Sequence, residues 1–180
     1  MKDAGPVWSR VLSIGEVPDD GLHVDIIADA TTRAALARTA GLRGLPRLEA
    51  SFDLVRTGKD KLHVVGEISA DLQQDCVVTL EPIEQTIFEP VELVFVPGSD
   101  PSEKHAVTEA TVALNDSEPP EPLRDGTVDL GAIATEYLLL AIDPFPRKEG
   151  AVFEPPAIGG PESNPFAALA ALKKRPSDGE

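Results

Sequence analysis

Cys76 is the only cysteine in this chain of 180 residues, and its thiol is the most reactive side chain that the sequence offers. It lies in QQDCVVTLEPIEQ, where Thr79 stands at the position that a second thiolate would take in a C-x-x-C pair. A structural zinc site needs four nitrogen or sulfur ligands. The histidines are His23, His63 and His105, and they fall in separate segments. We therefore expect neither a bound metal nor a cofactor.

A nucleophilic Cys76 would need a thiol of lowered pKa and a histidine base within reach. We expect His63 on a neighbouring strand, where it would be the candidate base. No nucleophile signature such as a G-x-S-x-G elbow surrounds Cys76, however, and cysteine is among the residue types most often buried. A packed thiol without a catalytic role is the preferred interpretation, and a hydrolase or redox enzyme that depends on Cys76 is the alternative. We expect no small-molecule substrate.

Charge indicates a second kind of site. The formal net charge of −15 disfavours nonspecific binding to nucleic acid. Cations are nevertheless concentrated where only Glu49, Asp53 and Asp60 oppose them: Arg33, Arg38, Arg43, Arg47, Arg56, Lys59 and Lys61. Such a cluster could form one positive face for RNA. Against this, Arg33 and Arg38 are five positions apart and do not share a helix face, so a mixed solvated surface is the commoner explanation.

Residues 97–126 are a proline-rich and acidic insertion, which we expect to be partly mobile. Its centre contains one weak strand pattern, AVTEATVAL. The acidic residues could mimic nucleic acid and occupy a basic protein, or they could simply keep the loop solvated. Neither interpretation makes the insertion an active site.

The elements that position these residues begin with a predicted hairpin and a short helix. WSRVLSIGEVP and GLHVDIIA are strand-like runs separated by DD. DATTRAALARTAGL then changes to helix-forming residues. Asp29 is a candidate N-cap of this helix, and Gly41 is placed for the left-handed conformation that commonly ends a helix.

Alternating apolar residues predict the body of the domain. Two strands joined by RTGKD carry apolar residues on one face: Leu48, Ala50, Phe52 and Leu54, then Leu62, Val64, Ile68, Ala70 and Leu72. A further strand has the same pattern: Ile83, Ile87, Val91, Leu93 and Phe95. Pro90 requires that strand to have an edge position or a bulge. We predict an α+β fold with a curved antiparallel β-sheet or partly open barrel, which all strands up to residue 95 join.

VDLGAIATEYLLLAID predicts a buried helix that Asp129 caps and that ends before Asp143 and Pro144. The next residues, DPFPR, form a stiff extended arm, because the two prolines restrict both themselves and the residues before them. The arm presents Phe145 and Arg147 side by side, and these residue types are enriched at interfaces. The alternative is that Phe145 caps the core and Arg147 pairs with a nearby acid.

The last predicted helix, NPFAALAALKK, is too short to be stable in isolation. Asn164 and Pro165 begin it, and Phe166, Leu169 and Leu172 lie within a narrow arc. We predict one domain over residues 1–152 and a tail over residues 153–180. The tail is expected to be loosely held until it orders on a partner.

Three segments together resemble the YceD family of large ribosomal RNA subunit accumulation proteins, in the form met in alphaproteobacteria: ADLQQDCVVTLEPI, PEPLRDGTVDLGAIATEYLLLAIDPFPRKEGA and NPFAALAALKK. The most specific parts are CVVTLEPI and DPFPR, which assign structural roles to Cys76, Glu81, Pro82, Asp143 and Pro144. Many YceD-like chains carry a C-x-x-C and later cysteines that resemble a zinc arrangement. This chain has one cysteine, so that metal is not carried over.

The resemblance implies a bacterial cytoplasmic protein needed for normal accumulation of large-subunit (23S) ribosomal RNA, without established catalytic activity. The sequence has no signal peptide and no run of the roughly twenty apolar residues that span a membrane, so we expect a soluble protein. A ribosome-assembly protein or a pre-large-subunit particle is the expected partner, and direct ribosomal RNA binding through residues 33–61 is the alternative. Candidate contacts are Arg33, Arg38, Arg43, Arg47, Phe145, Arg147, Phe166, Leu169 and Leu172.

Overall fold

The computed structural model describes residues 6–58, 61–97, 120–123 and 125–153. The chain divides into two units, Met1–Lys148 and Glu149–Glu180, and residues 149–153 are the described part of the second. The elements are, in chain order, β1 (Val11–Ser13), a turn of 3-10 helix (Ile14–Glu16), β2 (Leu22–Ile27), α1 (Ala30–Thr39), β3 (Gly44–Thr57), β4 (Lys61–Asp75), β5 (Pro82–Pro97), β6 (Glu121–Leu123), β7 (Thr127–Asp129) and α2 (Leu130–Ala141). The domain boundary predicted after residue 152 stays a prediction.

A five-stranded sheet with the order β2-β3-β4-β5-β6 forms the body of the first unit. β2, β3, β4 and β5 are antiparallel to their neighbours, whereas the short β6 lies parallel to the end of β5. The predicted α+β class with a curved sheet is therefore confirmed. The described strands do not close into a barrel.

The predicted N-terminal hairpin is wrong, because β1 pairs with β7 in a separate two-stranded sheet. A capping box formed by Ser13 and Glu16 turns the chain into the 3-10 helix directly after β1. The Asp129 carboxylate holds the preceding segment, since it accepts hydrogen bonds from the Ser9 hydroxyl at 2.6 Å and from the Arg10 amide at 2.7 Å. The single sheet predicted up to residue 95 thus excludes β1.

The apolar faces predicted for β3 and β4 form the core. All of their predicted residues are buried: Leu48, Ala50, Phe52, Leu54, Leu62, Val64, Ile68, Ala70 and Leu72. Gly66 interrupts this series because it lies opposite Phe52. A Cβ atom at Gly66 would stand 2.5 Å from Phe52 Cδ1 and 2.4 Å from the Ser51 carbonyl oxygen. Phe52 therefore fills the space that a larger residue at position 66 would need.

β5 turns its predicted face towards the core. The members of that face are buried or half-buried: Ile83, Ile87, Val91, Leu93 and Phe95. Pro90 lies opposite Glu67 of β4, and among the described residues no strand pairs with the other side of β5 at this point, because β6 begins beside Phe95. The edge position that Pro90 requires is confirmed.

α1 has the predicted ends. The Asp29 carboxylate accepts a hydrogen bond from the Thr32 amide at 2.7 Å, which makes Asp29 the N-cap. At the other end Leu42 donates its amide to the Ala37 carbonyl at 2.8 Å, and Gly41 has a φ of +67°. These two features form a Schellman motif, in which the left-handed residue is most often glycine.

α2 begins after Asp129 as predicted, but it buries only one face. Leu130, Ile133 and Leu138 are buried, whereas Leu140 is 76% exposed. The prediction that the whole helix is buried is therefore wrong. The last turn is apolar on all sides, but of its three leucines only Leu138 is buried. No helix in the described ranges is long and apolar enough to cross a membrane.

The centre of the acidic insertion, residues 98–119, lies outside the described residues. The strand pattern AVTEATVAL falls within it, so this strand and the expected mobility stay predictions. His105 also lies in this segment. No sequence pattern indicated β6, which the described end of the insertion forms beside β5.

Candidate functional site

The turn between β4 and β5, residues 76–81, folds around Cys76. The Cys76 amide donates to the Glu81 carbonyl at 2.8 Å, and the Leu80 amide donates to the Cys76 carbonyl at 2.9 Å. Leu80 has a φ of +60°, an uncommon conformation for a residue with a side chain. The turn therefore holds its tip, including Leu80, in one fixed conformation.

The Cys76 sulfur accepts three backbone hydrogen bonds, from Val78 and Thr79 at 3.4 Å and from Lys148 at 3.3 Å. The Lys148 amide, the Thr79 hydroxyl and the Thr79 amide are the main causes that lower the pKa of the Cys76 thiol to about 6. Thr79 thus contributes hydrogen-bond donors where a second thiolate could have stood. Cys76 is buried, as predicted.

The segment after α2, residues 143–148, is fastened to this turn, and we call it the clipped arm. Its bond to the sulfur comes from the Lys148 amide. In addition, the Val77 amide donates to the Pro146 carbonyl and the Gln74 side chain donates to the Asp143 carbonyl, both at 2.9 Å. The Lys148 ammonium forms an ion pair with Glu81 at 2.9 Å. Two segments that are about seventy positions apart therefore behave as one structure.

Pro146 is the one buried residue of the clipped arm, and the residues on both sides of it are exposed. Pro146 is buried against the turn, whereas Phe145 is 69% exposed and Arg147 is exposed. The Asp143 carboxylate accepts a hydrogen bond from the Phe145 amide at 2.8 Å, which fixes the start of the arm. The alternative in which Phe145 caps the core is wrong, and no acid among the described residues pairs with Arg147. Leu80, at the tip of the turn that holds the arm, is 76% exposed.

The structure separates Cys76 from its candidate base. His63 lies near the start of β4 and Cys76 follows its end, so about 40 Å of strand separates them at about 3.3 Å per residue. The prediction that His63 lies on a neighbouring strand close to Cys76 is wrong. His63 instead pairs with Glu92 at 3.2 Å. Among the described residues no cluster of histidine, cysteine and acidic side chains has the geometry of a metal site.

The arginine-rich region does not form one positive face, because acids from other elements neutralise part of it. Arg47 forms two hydrogen bonds with Asp71, at 2.8 and 3.1 Å, and a further ion pair with Glu49. Arg56 pairs with Asp19. The sequence count of opposing acids missed Asp71 and Asp19, since β4 and the N-terminal segment bring them close only in the fold.

Three arginines line a common groove between α1 and the start of β3. Arg33, Arg38 and Arg43 surround an apolar floor that includes Leu42 and Leu45, and the groove has a volume of about 810 Å³. No acid from the described part of the chain lines it. Arg33 and Arg38, which were not expected to share a helix face, nevertheless line one groove, because the groove lies beside the helix and not on a single stripe of it. Arg33 is oriented by a 2.6 Å bond to the Ala28 carbonyl, and Arg43 pairs with Asp75 at 2.8 Å.

Ser51, His23 and Asp53 on the sheet surface have the order of a Ser-His-Asp set. His23 Nδ1 lies 2.7 Å from Asp53, and Nε2 lies 3.4 Å from the Ser51 hydroxyl. The same Nε2 faces Asp25 at 3.3 Å. Asp53 and then Asp25 raise the pKa of His23, which favours the protonated ring. A ring nitrogen that donates to Asp25 cannot accept the Ser51 proton, so a surface ion-pair cluster is the better description.

Comparison with known families identifies the group to which this chain belongs. The family described as large ribosomal RNA subunit accumulation protein YceD matches residues 64–173. The chain belongs to the YceD family. The matched part includes the whole of the turn at Cys76 and the clipped arm, whereas the arginine groove precedes it. No curated protein and no solved structure matches this chain.

The YceD-family description points to accumulation of large-subunit ribosomal RNA, and it names no residue. The sequence singled out Cys76 as a possible reactive thiol and Phe145 and Arg147 as candidate contacts. The structure links them, because the arm that carries Phe145 and Arg147 is bonded to the Cys76 sulfur through the Lys148 amide. Sequence reasoning missed Gln74 and Lys148. The Gln74 side chain is buried next to exposed β4 residues, and a glutamine at the end of an alternating strand is a weak signal.

Several predicted contact residues of this YceD-family chain fall outside the described ranges. These are Phe166, Leu169 and Leu172, and Lys59 does so as well. Their candidate contacts, and the ordering of the tail on a partner, stay predictions. Glu81 forms the ion pair with Lys148, and the Asp143 carboxylate accepts the hydrogen bond from the Phe145 amide, while the roles predicted for both residues stay predictions. Pro82 opens β5 and Pro144 follows α2.

Proposed function

We propose that this chain is a non-catalytic, cytoplasmic ribosome-biogenesis factor that supports accumulation of 23S ribosomal RNA. In this proposal the clipped arm binds a ribosome-assembly protein on the pre-large-subunit particle. The observation that carries the proposal is the exposure of Phe145 and Arg147 on an arm that is otherwise held by hydrogen bonds. The YceD family description supplies the link to large-subunit RNA.

The fixed backbone favours binding for a physical reason. An interface must order the groups that form it, and each immobilised side chain costs about 0.5–1.5 kcal/mol. Prolines at positions 144 and 146 and the sulfur bond to Lys148 order the backbone of the arm before any partner arrives. Aromatic and arginine side chains provide most of the energy at many interfaces. Phe145 and Arg147 would therefore form the centre of the contact.

Cosedimentation tests this proposal directly. The purified full chain, and a Phe145→Ala/Arg147→Ala variant, are mixed with isolated pre-large-subunit particles and spun through a sucrose cushion. We expect the double variant to bind about tenfold more weakly, as loss of a central contact does. Leu140→Ala is the matched control, because Leu140 is equally apolar and 76% exposed but lies on α2. Equal binding by all three proteins would exclude the arm as the contact.

Direct binding to ribosomal RNA is the second candidate function. The observation that favours it is the groove lined by Arg33, Arg38 and Arg43, in which the described residues include no acid. Guanidinium groups bind phosphate oxygens with two hydrogen bonds, so the three arginines could hold the RNA backbone along the groove. Any such contact would be confined to the groove, because the net charge of −15 repels phosphates elsewhere on the chain. Within the groove, the ion pair with Asp75 already neutralises part of the charge of Arg43.

Salt dependence separates this candidate from the first. If the groove binds phosphates, affinity for a 23S RNA fragment falls steeply with salt, and an Arg33→Ala/Arg38→Ala variant has a shallower slope. Arg56→Ala is the control, since Arg56 carries the same charge but pairs with Asp19. The arm variant should bind the RNA normally.

An enzyme that depends on Cys76 is the least favoured candidate, because the thiol is buried and His63 is remote.

A further inference from the structure

The outer face of the sheet, on the side away from the core, carries a group of exposed apolar residues. Single exposed apolar residues are normal on a protein surface, whereas a group of them on one face points to an interaction site. Five lie on the outer face of β2 to β5, where Val65 is diagonal to Val55 and Val94, and where Glu49 and Ser69 stand between the other two: Ile27, Val55, Val65, Phe88 and Val94. Ile27 is 73% exposed and Phe88 is 63% exposed.

The two most exposed members border a hollow. Ile27, Glu49, Ser69 and Phe88 stand in one row across four strands. Because neighbouring strands lie about 4.8 Å apart, about 14 Å separates Ile27 from Phe88. The hollow between them has a volume of about 520 Å³, and Glu67 also lines it. It is therefore wide enough to receive an extended segment of another chain with its side chains.

Acids outnumber cations on this face. Asp25, Glu49 and Glu67 line the hollow, where the only cation among the described residues is Arg47, already bound to Asp71 and Glu49. Asp25 faces His23 Nε2 at 3.3 Å, and further along the face two more acids, Asp53 and Glu92, also have histidines as their partners. Glu67 is exposed and has no ion pair within the described ranges. Its neighbours across the strands are a serine and a proline, which offer no cation.

We propose that this outer face binds a basic segment of a partner protein in which lysine or arginine residues alternate with apolar ones. Glu67 and Asp25 would neutralise the cations, and Ile27 and Phe88 would bury the apolar side chains. A nucleic acid is not the expected ligand, because its phosphates would lie against carboxylates. The surface is additional to the clipped arm, since no residue of the arm lies on it.

Fluorescence anisotropy with a labelled dodecapeptide of alternating lysine and valine tests this inference on the full chain. We expect the wild-type protein to bind this peptide and to bind peptides of alternating lysine and serine, or glutamate and valine, at least about tenfold more weakly. Ile27→Ser/Phe88→Ser and Glu67→Lys should each weaken binding by about tenfold, because one removes the apolar contacts and the other the unpaired acid.

Matched controls on α2 keep the test specific. Leu140→Ser removes an equally exposed apolar residue, and Glu136→Lys makes the same charge change at an exposed acid. Both should bind the lysine-valine peptide as the wild type does. The proposal is overturned if the control variants lose as much affinity for the lysine-valine peptide as the variants of the outer face do. It is also overturned if the wild type binds the lysine-serine peptide as tightly as the lysine-valine peptide, because binding would then need only the charge of the peptide. A wild-type dimer that Ile27→Ser/Phe88→Ser dissociates would also overturn it, because the face would then bind a second copy.

Discussion

Cys76 shows how one side chain can join two segments that are remote in sequence. Its sulfur accepts hydrogen bonds from its own turn and from Lys148, which is 72 positions away. Because cysteine is among the residue types most often buried, a buried thiol was predicted at this position, and that is confirmed. The bond from the Lys148 amide could not be predicted, because every residue except proline has a backbone amide and the residue type does not show which acceptor it meets. Its effect is to place Phe145 and Arg147 on a fixed backbone.

The stability that Cys76 contributes should depend on pH. The folded state lowers the pKa of the thiol from its usual 9.0 to about 6. A group with a lowered pKa stabilises the folded state fully above its unfolded pKa, and this contribution is lost as the pH falls towards about 6. Cys76→Ser keeps a hydrogen-bond acceptor that does not ionise. We therefore expect the wild type to exceed Cys76→Ser in free energy of unfolding by more at high pH than at low pH.

Urea denaturation of both proteins, at several pH values between about 6 and about 9, measures this difference. Val77→Ala serves as the control, because it alters the same turn but leaves the thiol in place. Its difference from the wild type should not change with pH. A Cys76→Ser difference that stays constant over the whole range would show that the sulfur is not ionised in the folded protein.

Among the elements, those set by local patterns were predictable. Alternation indicated β3, β4 and β5, and the capping residues Asp29 and Asp129 indicated both helices. The pairing of β1 with β7 was not predictable, because three-residue strands have too few residues for a pattern. The sequence also overestimated how many arginines lack an acidic partner. Asp71 lies on β4 and meets Arg47 of β3 only when the two strands pair.

Gly66 provides a test of the packing between β3 and β4. An alanine there would place its Cβ 2.4 Å from the Ser51 carbonyl oxygen and 2.5 Å from the Phe52 ring. The backbone contact cannot be relieved by a rotamer change, so Gly66→Ala should lower the free energy of unfolding by about 2 kcal/mol. Chemical denaturation measures it, with Glu67→Ala as the control, because Glu67 is exposed on the outward side of β4.

The double variant Gly66→Ala/Phe52→Leu checks the cause. Because the Phe52→Leu substitution removes the ring atom that the new Cβ would meet, the combined loss should be smaller than the sum of the two single losses. A sum that is simply additive, or a harmless Gly66→Ala, would contradict the account of this cross-strand contact.

Asp129 caps α2 and also binds Ser9 and Arg10, so it joins β1 to the rest of the fold. Asp129→Ala should therefore lower the free energy of unfolding by about 2 kcal/mol, at the upper end of the range for an N-cap. Asp29→Ala is the comparison, because Asp29 caps α1 without such long-range bonds, and its loss should be smaller. Equal losses in thermal or urea unfolding would mean that the contacts with Ser9 and Arg10 contribute nothing measurable.

At the scale of the whole molecule, an acidic YceD-family chain presents three surfaces of different chemistry. The clipped arm is aromatic and cationic, the groove beside α1 is lined by arginines, and the outer sheet face is apolar and acidic. Composition alone provided only the net charge of −15. The strand register determines which cations remain unpaired, and that register could not be predicted from the sequence.

The central claim is that the clipped arm supports accumulation of large-subunit ribosomal RNA. Its most direct test is the ratio of 23S to small-subunit ribosomal RNA in cells whose only copy of this protein is Phe145→Ala/Arg147→Ala, present at wild-type level. Leu140→Ala cells are the control. We expect the ratio to fall in the double variant to that of cells without the protein, while the melting temperature of the variant is unchanged. A normal ratio in the double-variant cells would contradict the claim.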